Sequence, residues 1–156
     1  MIFFSHVWIN IIYELINRNG KVKEYLGGSL KFEGEYLNGL RHWKGKEYYD
    51  KDSLIFEGEY LNGKWNGKGK EYNGSGKLLF EGEYLNGKKK GYGREYNETY
   101  GLSFEGEFVN GKRNGQGKYY WNGQLEFEGE FLNGHQIRGK EYRFGKLIYE
   151  GEYEIN

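Results

Sequence analysis

FEGEYLNG, residues 56–63, decides the fold. Phe56, Gly58 and Tyr60 alternate with Glu57 and Glu59, which sets the rings on one face of an extended chain and the acids on the other. Asn62-Gly63 follows at once, and this pair supplies the two positive φ angles of a type I′ hairpin turn. A return strand over about Lys64 to Tyr72 completes a hairpin. The same octet stands at Phe32 and Phe80, with close variants at Phe104 (FEGEFVNG), Phe127 (FEGEFLNG) and Tyr149 (YEGEYEIN). One unit has been copied along the chain, so each hairpin must stack on its neighbours to bury its apolar side, and function belongs on a repeated surface rather than in one cleft.

Successive units start 24, 24, 24, 23 and 22 residues apart. The spacing contracts after Tyr120 and Tyr142, and again where Gly134 to Gly139 replaces the longer run from Gly111 to Gly117. Both changes are expected in turns, where length varies freely. With a two-residue turn, Tyr60 faces Trp65, Gly58 faces Gly67, Phe56 faces Gly69, and Glu57 meets Lys68 on the other face. The glycines then leave room for rings to lie across the backbone. A four-residue loop would shift this register and make the glycines loop residues. Trp43 stands where other copies carry Gly67 or its equivalent, and it demands a local adjustment such as a bulge. Turns such as Asn73-Gly74-Ser75-Gly76 and Asn122-Gly123 join the hairpins, and the whole is expected to be an all-β, elongated, single-layer twisted antiparallel meander. Twelve or so strands would span roughly 60 Å.

Composition agrees. The 156 residues include no Ala, Pro or Cys, but 27 Gly and 16 Tyr, a profile that disfavours helix and favours pleated surfaces. Lys plus Arg equals Asp plus Glu at 23 each, which leaves no global field to gather nucleic acid. Without cysteine there is neither a disulfide framework nor a thiolate metal site, and a cytoplasmic location is expected. Residues 1–31 read as a divergent N-terminal repeat or cap: Met1 to Ile16 carries His6, Asn10 and Glu14 and lacks the flanks of a signal, while Tyr13 to Gly20, followed by Lys23, Glu24 and Tyr25, reads as a worn first copy. The array proper occupies 32–156, with units from 32, 56, 80, 104 and 127 and half a unit from 149.

The pattern [FY]-E-G-E-[FY]-x-N-G followed by G-x-G resembles the MORN repeat (membrane occupation and recognition nexus) over about residues 32–156. The lead-in at Gly76-Lys77-Leu78 is similar to a bacterial variant of these repeats with antitoxin-like members. The resemblance implies elongated hairpin sheets that act as scaffolds, as protein-binding modules or as lipid-binding modules, often beside separate catalytic domains.

Catalysis needs complementary groups converging on a pocket, and the sequence offers none. His6, His42 and His135 fall at unrelated positions; the repeated Glu57/Glu59 pair reads as a solvated face with cross-strand lysines; Gly63-Lys64-Trp65-Asn66-Gly67-Lys68 lacks the Walker spacing. No enzyme, cofactor or metal is expected. Asn73-Gly74-Ser75 and Asn97-Glu98-Thr99 match the glycosylation sequon but read as turns. Two surfaces are candidates. The first is the ring face: Phe56, Tyr60, Phe80, Tyr84, Phe104, Phe108, Phe127 and Phe131. The second is a basic ribbon edge at the hairpin tips, where Arg41, His42 and Lys64 precede Lys88, Lys89, Lys90, Lys112 and Arg113, facing an anionic partner. The expected function is a non-enzymatic scaffold that binds a protein through its ring face or ribbon edge, with end-to-end self-association through the terminal strand. Peripheral attachment to anionic lipid through the basic tips and an antitoxin-like regulatory role are the alternatives.

Overall fold

The computed structural model describes residues 19–50 and 53–154. Twelve strands follow one another in a single antiparallel sheet whose order is the chain order. They are β1 (Gly20–Leu26), β2 (Ser29–Leu37), β3 (Leu40–Tyr48), β4 (Leu54–Leu61), β5 (Lys64–Tyr72), β6 (Leu78–Leu85), β7 (Lys88–Asn97), β8 (Gly101–Val109), β9 (Lys112–Trp121), β10 (Gln124–Leu132), β11 (His135–Arg143) and β12 (Lys146–Glu152). The meander is as the alternation predicts. Residues 1–18 of the expected N-terminal cap lie outside the described residues. From Gly20 onward it supplies β1, which pairs with β2 in the register of every other return strand, Lys23 against Glu33 and Val22 against Gly34.

The Asn-Gly turns have the required geometry, for example φ of 50° at Asn62 and 81° at Gly63. Beyond the turn, the register differs from expectation. Tyr60 does face Trp65, but Gly58 faces Gly69 rather than Gly67, and Glu57 faces Lys70 rather than Lys68. Asn66, Gly67 and Lys68 stand against Glu59 alone, so the return strand holds a bulge with two extra residues. Gly67 turns the chain there with φ of 91°. Because the slip is even, each side chain keeps its face.

Trp43 takes the same left-handed place at φ of 55°, an uncommon state for a bulky residue. In the unit from 127 the bulge shrinks to one residue, Ile137, while the Asn133-Gly134 turn keeps its two. One of the two length changes thus lies in a bulge, not in a turn. The other does lie in a turn, the short Asn122-Gly123 connection.

A single layer builds a core by laying rings on its own backbone. A Cβ added at Gly93 would stand 2.5 Å from Phe80 Cζ and 2.6 Å from its Cε2, and one at Gly117 would meet Phe104 in the same way. Only glycine leaves that space. Each phenylalanine then sits between two edge-on rings: Phe80 between Tyr84 (5.4 Å, 82°) and Phe108 (5.2 Å, 85°), Phe104 between Phe108 (5.4 Å) and Phe131 (5.0 Å). Such edge-to-face pairs contribute about 0.5–1.5 kcal/mol each beyond their burial. Since every second contact belongs to the next repeat, the zipper ties hairpin to hairpin.

Candidate functional site

The eight rings expected to receive a partner are the core. Phe56, Phe80 and Phe104 are 0% exposed, and Tyr60, Tyr84, Phe108, Phe127 and Phe131 no more than 4%. The ring-face expectation is corrected accordingly: laid on the glycines and roofed by neighbours, these side chains have no free surface for a partner in this conformation.

The roof comes from the supposed basic edge. Arg41, Trp65, Lys89 and Arg113 hold one repeat position, two residues past the turn glycine, and alternation from the turn sends them to the ring side. Trp65 stacks on Phe56 at 4.1 Å and 3°. Arg41 covers Phe32, Lys89 covers Phe80 and Arg113 covers Phe104, with the cation 4.3–4.5 Å from the ring centre. These cations are also engaged in ion pairs. Arg41 binds Glu24 (2.9 Å) and Glu47 (3.1 Å), Lys89 binds Glu95 (3.0 Å), and Arg113 binds Glu95 (2.8 Å). Burial pushes the Glu95 carboxyl up, and the charges and hydrogen bonds of Lys89 and then Arg113 more than reverse this, holding it below the usual carboxylate range. Of the predicted edge, Lys88, Lys90 and Lys112 remain exposed; Lys89 and Arg113 do not belong to it.

A hydroxyl ladder backs the same row. Tyr60 donates to Glu47 (3.3 Å) and Tyr84 to Glu71 (3.3 Å). Where the ladder's tyrosine is replaced by Phe108, the orphaned Glu95 takes Lys89 and Arg113 instead. Where it is replaced by Phe131, the acid itself is absent, because Tyr119 stands in its place.

The opposite face is open and carries a groove of about 1170 Å³ over β1 to β7. Its floor is the glycine row, including Gly45, Gly58, Gly69 and Gly82, with glutamates and lysines along both sides. Two rows of charge differ in state. The inner row is neutralised: Glu57 lies 3.8 Å from Lys46, Glu81 4.0 Å from Lys70, and Arg94 reaches Glu81 and Glu105. Tyr48, Tyr72, Tyr96, Tyr120 and Tyr142 donate to Glu33, Glu57, Glu81, Glu105 and Glu128 at 2.6–2.9 Å. Burial, then the hydrogen bond and charge of the glutamate, push Tyr48, Tyr72, Tyr96 and Tyr120 up to about 12. In the outer row Lys44 faces Glu59 and Lys68 faces Glu83 across strands, with Lys90 on the other side of Glu83, yet among the described residues none of the side chains of Lys44, Glu59, Lys68 and Glu83 makes an ion pair or hydrogen bond.

Tyr92 replaces the outer-row lysine of β3 and β5. It lines both this groove and a smaller one of about 460 Å³ that continues over β8 to β12. The ring partitions the face.

Sequence reading missed a row of exposed aliphatic side chains at the turn edge: Leu61, Leu85, Val109 and Leu132. Leu61 pairs with Lys64, Leu85 with Lys88 and Val109 with Lys112. Alternation counted from the acids places these residues on the groove face, so the signal was available in the variable position of FEGEYxNG. At the sequons, Asn73 Oδ1 accepts from the Ser75 and Lys77 amides and Asn97 Oδ1 from the Thr99 amide, the hydrogen bonding of turn residues. Among the described residues no group of three or more His, Cys, Asp or Glu stands together to hold a metal ion, and no helix is long and apolar enough to cross a membrane.

No curated protein matches the chain in sequence. Residues 32–53, 56–78, 80–99 and 104–124 each match the model of the MORN repeat. Every match begins at the phenylalanine that the structure lays across a glycine pair, and the matches stop short of the unit from 127, whose bulge has lost a residue. Since the matched segments cover more than half of the sequence and coincide with the structural repeat, the chain belongs to the MORN-repeat family.

Proposed function

We propose that this chain is a non-enzymatic interaction scaffold in the cytoplasm, and that its contact surface is the glycine-floored groove over β1 to β7, which takes a protein segment carrying charges of both signs. The observation that carries this reading is the outer row, where Lys44, Lys68, Glu59 and Glu83 line a concave face and, among the described residues, have no internal partners. Unpaired charges beside a groove give specificity by complementary placement more than by raw affinity.

The test exploits cross-strand pairing. Swapping Lys44→Glu with Glu59→Lys and Lys68→Glu with Glu83→Lys preserves net charge and the opposite sign within each pair, sets residue 83 against Lys90, and reverses the charges of the outer row. A partner captured from native lysate by the wild type and lost by the swapped chain supports the reading. Equal capture by both rejects the groove as the contact surface.

A second reading, attachment to an anionic membrane surface, is favoured by one observation: the alternating aliphatic and basic row at the turn edge, with Leu85 beside Lys88 and Val109 beside Lys112. A lysine near an anionic leaflet contributes on the order of 1 kcal/mol. Co-sedimentation with phosphatidylserine vesicles that survives Lys88→Glu and Lys112→Glu would exclude this mechanism.

A further inference from the structure

Asn-Gly recurs at both edges of the sheet, but its copies are not held alike. Asn62-Gly63, Asn86-Gly87, Asn110-Gly111 and Asn133-Gly134 form hairpin tips. In each of these the glycine amide donates to a carbonyl of the preceding hairpin: Gly63 to Arg41 (2.9 Å), Gly87 to Trp65 (2.8 Å), Gly111 to Lys89 (2.9 Å) and Gly134 to Arg113 (2.8 Å). The acceptors are the residues that roof the rings, so the lid position also stitches each turn to its neighbour. Asn86 and Asn133 are held a second time, their own amides donating to Asn66 Oδ1 (3.4 Å) and Asn114 Oδ1 (3.3 Å). For Asn38-Gly39 the corresponding carbonyl belongs to residue 17, outside the described residues.

Asn122-Gly123 makes the same turn at the opposite edge, between β9 and β10. Its asparagine has φ of 51°, against 50–53° at the four tips, and its glycine 73°, against 81–96°. All five asparagines are exposed, so access of water does not distinguish them. The tether does. Among the described residues neither the Gly123 amide nor the Asn122 carboxamide has a hydrogen-bond partner. The other Asn-Gly connection at this edge is restrained, with Asn73 Oδ1 accepting from the Ser75 and Lys77 amides.

An Asn-Gly pair carries its own chemistry. The glycine amide nitrogen, on losing its proton, attacks Cγ of the asparagine. The N–Cγ bond forms, the Cγ–Nδ2 bond breaks, and Nδ2 leaves as ammonia with a proton equal to the one the amide gave up. Water then opens the cyclic imide. Cleavage of the new N–Cγ bond yields aspartate, and cleavage of the original peptide bond yields isoaspartate, with the chain running through Cγ. Water is the sole co-reactant and nothing is oxidised. A glycine N–H that is donated to a neighbouring carbonyl must first be released by local opening, as in amide hydrogen exchange.

We infer that Asn122 is a self-modification site, at which this turn converts to aspartate and isoaspartate, and that the inter-repeat hydrogen bonds protect the hairpin tips from the same reaction. Each event adds one negative charge to a chain of zero formal net charge. Isoaspartate also lengthens the backbone of a turn closed by the Trp121 and Gln124 pair. The inference goes beyond the scaffold reading and does not depend on it.

The test ages the full chain at mildly alkaline pH, folded in buffer or unfolded in guanidinium chloride. Tryptic peptides are then sequenced by tandem mass spectrometry, and an unaged sample corrects for what digestion adds. Asn122 and Asn133 share one tryptic peptide, residues 119–138, so each serves as the other's control. In the folded chain Asn122 is expected to react roughly fivefold faster than Asn62 and Asn110, the factor by which one intramolecular hydrogen bond lowers the open population. Asn86 and Asn133, held twice, should be slowest. In guanidinium chloride the five rates should draw together. Reaction at Asn122 no faster than at the four tips of the folded chain would overturn the inference. So would an advantage at Asn122 that persists undiminished in the unfolded chain, because it would then belong to local sequence and not to the tether.

Discussion

Gly93→Ala probes the feature on which the single-layer core depends. Gly93 is buried and lies outside the positive-φ set, so its backbone accepts an L residue and only the space is at issue. The new methyl would stand 2.5 Å from Phe80 Cζ, 2.6 Å from Cε2 and 3.2 Å from the Glu81 carbonyl oxygen. Ordinary contact requires the ring to retreat by about 1 Å. It has nowhere to go, with Tyr84 and Phe108 on its flanks and the Lys89 ammonium 4.4 Å above. Overpacking of this kind costs about 1–3 kcal/mol. Replacing a strand glycine by alanine returns about 0.5–1 kcal/mol through the unfolded chain, so the net loss against wild type is about 0–2.5 kcal/mol, and the loss against a glycine-to-alanine change without a clash is about 1–3 kcal/mol. Gly74→Ala is the matched control: nothing among the described residues lies within 4 Å of its added methyl, and it should be neutral or slightly stabilising. Urea denaturation followed by tryptophan fluorescence measures both, with coincidence against circular dichroism checked because repeat arrays can lose two-state behaviour. If Gly93→Ala proves as stable as Gly74→Ala, the rings do not lie across the glycine row as described.

Three further outcomes are expected. The depressed carboxyl of Glu95 contributes stability that is present above the ordinary glutamate value of 4.5 and lost as the pH falls through its lower folded value; Glu95→Gln should flatten the acid limb of a stability–pH curve. The groove-side tyrosines behave oppositely: raised to about 12, Tyr48, Tyr72, Tyr96 and Tyr120 contribute stability that is full below 10 and disappears as the pH rises through 12, so tyrosinate absorbance should appear late and together with unfolding. Trp43 is half exposed, held at φ of 55°, and adjoins His42, whose buried Nδ1 has no hydrogen-bond partner among the described residues; Trp43→Gly, the residue of the other copies, should raise stability by about 1 kcal/mol in the same denaturation assay.

Much of the fold was legible because its signals are local. Alternation in FEGEY gives faces, Asn-Gly gives turns, and repetition gives the stacking direction. The register was not, since a bulge that adds two residues leaves the face pattern unchanged: Gly58 against Gly67 and Gly58 against Gly69 satisfy the same alternation, and only the left-handed φ at Gly67 separates them. The ring face was read as a surface because a one-layer sheet ordinarily leaves one side open. What closes it is the lid position, and Lys89 and Arg113 looked like turn charges when judged by proximity to the Asn-Gly pair. Judged by alternation, they fall on the ring side, while Lys88, Lys90 and Lys112 do not. The groove has no sequence signature beyond the Gly and Glu/Lys rows, because concavity depends on the accumulated twist and bulging of many strands.

With the rings in the core, the contact surface proposed above is the Glu/Lys face. A photo-cross-linking residue introduced at Lys68, on the groove, or at Glu71, on the ring side of the same strand, tests this in native lysate whatever the partner is. Adducts formed from position 68 and absent from position 71 are predicted; adducts from position 71 alone would contradict the assignment of faces on which the proposed function stands.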